Sequence, residues 1–308
     1  MGGAAGREAR ALTPNPALPP APAGQRILAG ILFMCGAGLL FPVMSGFAKF
    51  LGADYSTLQI SWARAFGHIV FMLIFFVPRF GLGMLRTRRL GTQLVRSLML
   101  FTSNVASFLA IVYIPLGKAA AITMMAPLLV LPLAWLVLGE RAARAHIGAL
   151  LVGFVGMLIL IQPGSAVFQW AALLSLLSAA CYAIYQVLTR LISTIDTPET
   201  SAIYSSIVGS FGMLLVLPFV WKTPHGARDI FFFCSLGVLG AMGHYFVARA
   251  LAYAPANIVA PFQYMQLIGS VVVGYLFFGD FPDFLGWVGA AIIVGAGLYI
   301  GWSQRKPG

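Results

Sequence analysis

Arg64 has Ser61 three residues before it and His68 four residues after it, which sets a hydroxyl, a guanidinium and an imidazole on one face of a helix. The surrounding run is apolar enough to lie in hydrocarbon, where an ionisable side chain costs about 2.5–3.5 kcal/mol to insert. Such an Arg either anchors an anionic group or bonds to carbonyls of a neighbouring helix. Tyr182, Tyr185 and Gln186 set two phenol rings and an amide on another helix, a combination that stacks on a planar ligand and hydrogen-bonds its edge. Gln263, Gln266 and Ser270 follow i, i+3, i+7 and give a third helix one polar stripe. His244 and Asn104 are a fourth candidate pair, 140 positions apart in a chain that repeats at that spacing. For each group the competing reading is an interhelix hydrogen bond worth about 0.6–2 kcal/mol.

What is missing from the apolar segments narrows the chemistry. The eight acidic residues fall in the N-terminal tail or between apolar runs: Glu8, Asp54, Glu140, Asp196, Glu199, Asp229, Asp280 and Asp283. Asp280 and Asp283 form a close pair and sit in a Gly-Phe-Pro turn. Membrane-embedded transferases need clustered carboxylates on a metal or a His–acid pair, so no catalytic site, metal or cofactor is expected. A proton relay needs an acid or His within a span, which leaves His68 and His244, or facilitated diffusion or exchange without a proton. Cys35, Cys181 and Cys234 lie inside apolar runs without paired or metal-ligand spacing and read as small buried hydrophobes.

The elements that position these groups are membrane helices. The 308 residues are 60% hydrophobic and 9% charged, with mean hydropathy +0.92, against roughly half apolar and a quarter charged in soluble domains. Apolar runs near Ile27–Phe50, Leu58–Val77, Leu94–Ile114, Ala119–Leu138, Ala145–Ile161, Phe168–Ile192, Ala202–Val220, Ile230–Ala252, Ile258–Phe278 and Phe284–Trp302 each approach the length needed to cross ~30 Å of hydrocarbon. Residues 1–25 are rich in Ala, Pro and Gly and read as a disordered tail. The net charge of +11 comes from 19 basic residues spread over short connecting segments, not from one face that would fit nucleic acid. With the N-terminus in the cytoplasm, thirteen of them, among them Arg79, Arg86, Arg88, Arg89 and Arg96, lie inside, and four (Lys49, Lys118, Lys222 and Arg228) lie outside. Both termini are then cytoplasmic. Lys49, Lys118 and Arg249 near span ends read as structural or snorkelling groups.

Sliding the chain by 140 residues aligns Leu51 with Leu191, Ser61 with Ser201, Tyr113 with Tyr253, Pro115 with Pro255 and Gly139 with Gly279, with Glu140 opposite Asp280. Each half (26–162 and 163–303, followed by a short tail 304–308) holds five spans, an odd number, so the second half enters from the opposite side. The expected fold is an all-α membrane protein of ten transmembrane helices built as two inverted five-helix repeats. Inverted repeats hold a substrate near the midplane where the halves meet, and alternate access to it. Met124 and Met125 read as packing. Gly297-x-x-x-Gly301 and Ala149-x-x-x-Gly153 permit close helix approach, within the chain or across a homodimer.

The doubled apolar helix followed by Gly-acid (Ala119–Leu138 then Gly139-Glu140, and Ile258–Phe278 then Gly279-Asp280) resembles the drug/metabolite transporter superfamily and, within it, the EamA-type ten-helix carriers, over about residues 27–302. The stretch Ala260-Pro261-Phe262-Gln263-Tyr264-Met265-Gln266 with Phe281-Pro282-Asp283 looks like the branch of vitamin and cofactor importers, for riboflavin and for S-adenosylmethionine. The resemblance implies a carrier in a bacterial inner membrane, with a small organic metabolite and the lipid bilayer as its partners. It adds Tyr264 to the candidate substrate contacts Arg64, Asn104, Tyr182, Tyr185, Gln186, His244, Gln263 and Gln266. In the S-adenosylmethionine type an acid is expected where Gln266 stands, and a neutral amide suits a sulfonium cation less well than a flavin. Export of aromatic amino acids or drugs is the alternative within the superfamily.

Overall fold

Lipid offers no hydrogen-bond partners, so an apolar chain within it must satisfy its backbone internally, and helices do so segment by segment. The computed structural model describes residues 23–139, 144–161 and 170–303, and among them every long element is helical. Ten successive crossings are α1 (Ala23–Leu51), α2 (Thr57–Phe75), α3 (Leu90–Tyr113), α4 (Leu116–Thr123 and Ala126–Leu138), α5 (Arg144–Ile161), α6 (Ala171–Ile192), α7 (a broken path from Pro198 to Val220), α8 (Gly226–Tyr253), α9 (Ala256–Val259, a 3-10 stretch Ala260–Tyr264, and Met265–Phe278) and α10 (Phe284–Ser303). Six segments, in α1, α2, α3, α4, α6 and α8, are individually long and apolar enough to span a bilayer. Large apolar side chains such as Leu136, Phe219 and Leu276 point outward, as a lipid-facing surface requires.

Seven crossings are continuous and three are broken, which the apolar runs do not reveal. The break in α4 falls at Met124 and Met125, and the junction in α9 falls at Tyr264 and Met265, 140 residues on. Pro127 and Pro261, at the start of the segments concerned, remove backbone donors there. Met124 and Met125 are buried in the core. The turns after α4 and α9 also match: Gly139 (φ 71°, ψ 13°) and Gly279 (φ 67°, ψ 10°) are left-handed helix caps, a conformation that L side chains resist. Glu140 lies outside the described residues, as do residues 1–22, the 162–169 connection and the C-terminal tail.

The contacts exchange under the repeat. α1 packs on α8 as α6 packs on α3, α1 on α9 as α6 on α4, and α5 pairs with its own mate α10. The two halves are inverted copies. Ties at the helix ends obey the alternation of ten crossings. On the face where α1 begins (the tail face), the 2–3 connection meets the 6–7 connection through Thr87 and Asp196. On the opposite, far face, the Lys49 ammonium ion-pairs with Asp280, and Gln59 exchanges hydrogen bonds with the Lys222 backbone at 2.7 and 2.9 Å.

Several expectations change. Glu199 and Asp229 lie not in loops but in the first turns of α7 and α8, both buried. Cys181 is buried, but Cys234 is exposed on the lipid side of α8 because its position on the helix faces away from α1 and α2. Arg249 does not snorkel freely: its guanidinium lies 3.8 Å from the Glu199 carboxylate and against the rings of Phe33, Tyr245 and Tyr253. Lys118 is half-buried and lines a cavity of about 250 Å³ between α4, α9 and α10, with Asp280, Asp283 and Trp287.

Candidate functional site

A polar core lies where α1, α3, α6 and α8 meet. α3 contributes one buried polar stripe, Gln93, Arg96, Ser97, Ser103 and Asn104, at spacings of three, four and seven. α6 faces it with Ser178, Tyr182, Tyr185, Gln186 and Thr189. Ser103 Oγ donates to the Ser178 carbonyl at 2.9 Å, which joins the two stripes.

Tyr185 is fully buried and central. Its hydroxyl lies 3.3 Å from His244 Nδ1 and 3.4 Å from Ser205 Oγ, and its ring stacks on Tyr182 with centroids 5.5 Å apart. Its ring also carries the Arg96 guanidinium, 5.1 Å from the centroid. His244 in turn lies parallel to His68, with ring centroids 6.1 Å apart, so α2 and α8 bring one imidazole from each half together. Gln186 donates to Gln263 at 3.2 Å and ties α6 to the 3-10 stretch of α9.

A narrow cavity opens beside this core. Phe41, Met44 and Ser45 of α1, Ser103, Asn104 and Ser107 of α3, Tyr182 of α6, His244 of α8 and Gln266 of α9 line it, so both halves contribute. Asn104 and His244, matched by the repeat, share this one wall, and Asn104 is held by a 2.6 Å bond from its amide to the Leu100 carbonyl. The cavity holds about 50 Å³, far below the ~300–1,000 Å³ of ligand pockets, so this conformation has room for little more than a solvent molecule.

The nine candidates divide. Asn104, Tyr182, His244 and Gln266 line the cavity. Tyr185, Gln186 and Gln263 stand behind them as a hydrogen-bonded layer. From α2, Arg64 adjoins Tyr182, Tyr185 and the imidazoles of His68 and His244, and its side chain packs on Gly240. Tyr264 stands apart: it is buried, its hydroxyl has no partner among the described residues, and it does not line the cavity. The α9 stripe also splits at the 3-10 junction, because three residues per turn turn Gln263 towards Gln186 while Gln266 faces the cavity.

Sequence reasoning missed Arg96. Counted among the basic residues of the connections, it is fully buried, and its guanidinium donates to Gln93 Oε1 (2.7 and 3.1 Å), Thr189 Oγ1 (3.2 Å), Ser205 Oγ (3.1 Å) and the Ser201 carbonyl. Gln93 passes the charge on by donating to Asp196 at 2.9 Å. The signal was present in the spacing of Gln93, Arg96, Ser103 and Asn104 on one helix face. The described carboxylates all sit near helix ends: Asp196 and Glu199 at the tail face, and Asp54, Asp229, Asp280 and Asp283 at the far face. The polar core holds cations, amides, hydroxyls and aromatic rings, with no carboxylate among the described residues.

Three comparisons place this architecture. A riboflavin transporter of Rhizobium johnstonii is 32% identical over 295 residues, covering 92% of this chain and 95% of its own. An S-adenosylmethionine uptake transporter of Rickettsia prowazekii is 28% identical over 259 residues, covering 84% of this chain and 87% of its own. A solved crystal structure matches the fold with a TM-score of 0.67 over 93% of this chain and all of its own, at 17% identity. Ten alternating helical crossings, with relatives that are bacterial transporters, make this a multi-pass bacterial membrane protein that handles small metabolites. The EamA-like transporter model matches twice, over residues 28–162 and 169–302, and the chain belongs to the EamA-like transporter family.

Proposed function

We propose that the chain is an alternating-access carrier for a planar, neutral or anionic aromatic metabolite, with riboflavin the first substrate to test, and that the cavity between α1, α3, α6, α8 and α9 is its midplane site. The observation that carries this reading is the cavity wall: phenol and imidazole rings from Tyr182 and His244 and amides from Asn104 and Gln266, with no carboxylate among the described residues. Rings stack on an aromatic system and amides satisfy its edge donors and acceptors. A sulfonium cation would call for an acid, and Gln266 supplies none, which sets the relatives named for riboflavin above those named for S-adenosylmethionine.

Transport in this reading is a rocking of residues 26–162 against 163–303. Both faces carry ties between the halves, Thr87–Asp196 and Gln93–Asp196 at the tail face and Lys49–Asp280, Tyr55–Asp229 and Gln59–Lys222 at the far face. Opening to one side breaks one set and keeps the other, which widens the narrow cavity enough for a vitamin. The excess of basic residues on the tail face supports an orientation with that face, and both termini, in the cytoplasm. Exchange or facilitated diffusion fits a core without carboxylates.

The test is uptake of labelled riboflavin, beside labelled S-adenosylmethionine, in a riboflavin-auxotrophic bacterium that lacks its own importer. Saturable riboflavin uptake that falls with Gln263→Ala or His244→Ala supports the assignment. Uptake of S-adenosylmethionine alone, or of neither compound by protein shown to be in the membrane, rejects it.

A further inference from the structure

Arg64 is 2% exposed, eight residues into α2, and forms no hydrogen bond or ion pair with any described residue; its Nε and Nη2 are buried without partners. Its counterpart Arg96 shows what a compensated guanidinium looks like in the same core, with five hydrogen bonds and a relay through Gln93 to Asp196. A buried charge left without a counter-charge is among the costliest arrangements a fold can keep, and in a membrane core such groups mark ligand or ion pathways.

The groups around Arg64 are unsatisfied in the same sense. His68, one turn further along the same face, has neither ring nitrogen hydrogen-bonded; the Ala202 carbonyl lies near the ring but outside bonding geometry. Ser61, one turn earlier, has a buried hydroxyl without a partner. The broken crossing α7 adds a third: Gly209 lies against Ala65 and Ala202 against His68, and Ser206, between them in sequence, is 1% exposed with its hydroxyl also unpartnered. A guanidinium, two hydroxyls and an imidazole, all buried and all able to donate, share one region between α2 and α7.

We propose that Arg64, with Ser61, His68 and Ser206, forms an anion site next to the substrate cavity. The inference deepens the carrier reading, since the anion is either a phosphate- or carboxylate-type group on the transported metabolite or an inorganic anion that travels with it. A guanidinium accepts an oxyanion in a bidentate fork, and flanking hydroxyls and an imidazole N–H complete its shell. The anion supplies the charge that Arg64 lacks, and the broken path of α7 gives the site an element that can shift when it fills.

The test uses purified, full-length protein in nanodiscs, with equilibrium binding of labelled chloride, labelled inorganic phosphate and riboflavin 5′-phosphate to the wild type, Arg64→Lys and Arg64→Gln. The expected result is saturable binding of at least one probe, weakened in part by Arg64→Lys, which keeps the charge and loses the fork, and weakened about a hundredfold by Arg64→Gln, as loss of a charge-assisted pair in a buried site implies. Binding of chloride or phosphate alone assigns the site to a co-transported ion; binding of riboflavin 5′-phosphate without the inorganic anions assigns it to the metabolite's own group. Riboflavin uptake is read on the same protein in proteoliposomes. Intact uptake with no binding of any probe, or equal binding by Arg64→Gln, overturns the anion site. Anion binding without riboflavin uptake keeps the site and discards the vitamin assignment. If Arg64→Gln does not fold, Arg64→Lys still decides, because losing the fork weakens binding at a site built on it, and unchanged binding overturns the site.

Discussion

Gly237 of α8 crosses Gly67 of α2 so closely that a β-carbon on Gly237 would stand 2.5 Å from the Gly67 carbonyl carbon and 2.6 Å from its α-carbon. The two backbones touch at the level of the polar core, one turn from Arg64 and next to His68. No side chain can yield there, because the obstacle is main chain. Gly237→Ala is expected to destabilise the fold by about 1–3 kcal/mol or more, as overpacking does. Gly91→Ala, with nothing within 4 Å, serves as the control. Melting of detergent-solubilised protein reads the difference, and equal melting points for both variants contradict the close crossing.

Removing one partner from the Arg96–Gln93–Asp196 network leaves buried groups unpaired. Arg96→Met is expected to cost about 3–5 kcal/mol, which will show as loss of monodisperse protein in size-exclusion chromatography. Arg96→Lys recovers part of it, since an ammonium reaches fewer of the four acceptors. A surface topology charge, by contrast, would tolerate either change.

Lys49 and Asp280, about one-fifth exposed, form an ion pair between the end of α1 and the turn after α9. Its effect is expected in the balance between conformations. Asp280→Asn loosens the far-face tie and raises labelling of Ser107→Cys, a cavity residue, by a membrane-impermeant maleimide by about two- to fivefold, the equivalent of under 1 kcal/mol. Unchanged labelling with a normal melting point would assign the pair no part in gating.

Tyr182 stacks on Tyr185 and lines the cavity. If its ring meets an aromatic substrate, Tyr182→Ala raises the KM for riboflavin about three- to tenfold, the scale of one aromatic contact, whereas Tyr182→Phe stays within about threefold of wild type. A KM unmoved by Tyr182→Ala moves the substrate away from this wall.

Orientation is checked with single cysteines at the exposed positions Leu82 and Thr223, on the tail and far faces, in a chain with Cys35, Cys181 and Cys234 changed to Ala. An impermeant reagent on intact cells is expected to label Thr223→Cys and spare Leu82→Cys. The reverse pattern turns the molecule over.

Much of the fold was legible because lipid simplifies the problem. An apolar run of sufficient length in hydrocarbon has one way to satisfy its backbone, so composition and run length alone mark ten helical crossings. The odd number per repeat forces inversion by parity, and Gly139 and Gly279 announce matching caps because so few residues take a left-handed φ. Asn104 and His244 were found together by that same repeat, without any knowledge of packing.

What only the tertiary structure decided is which polar groups have partners. Arg64 and Arg96 look alike in sequence, an Arg among apolar residues with Ser nearby, yet one is bonded five times and the other not at all. Partners of Arg96 come from positions more than 90 residues away, such as Thr189, Ser201 and Ser205. The breaks in α4, α7 and α9 were equally hidden, because hydropathy measures transfer to lipid and is blind to a backbone that leaves helical geometry inside a protein core. Sequence set the helices and their number; the crossing of α2 with α8 and the folding of α7 against them set where the unsatisfied charge lies.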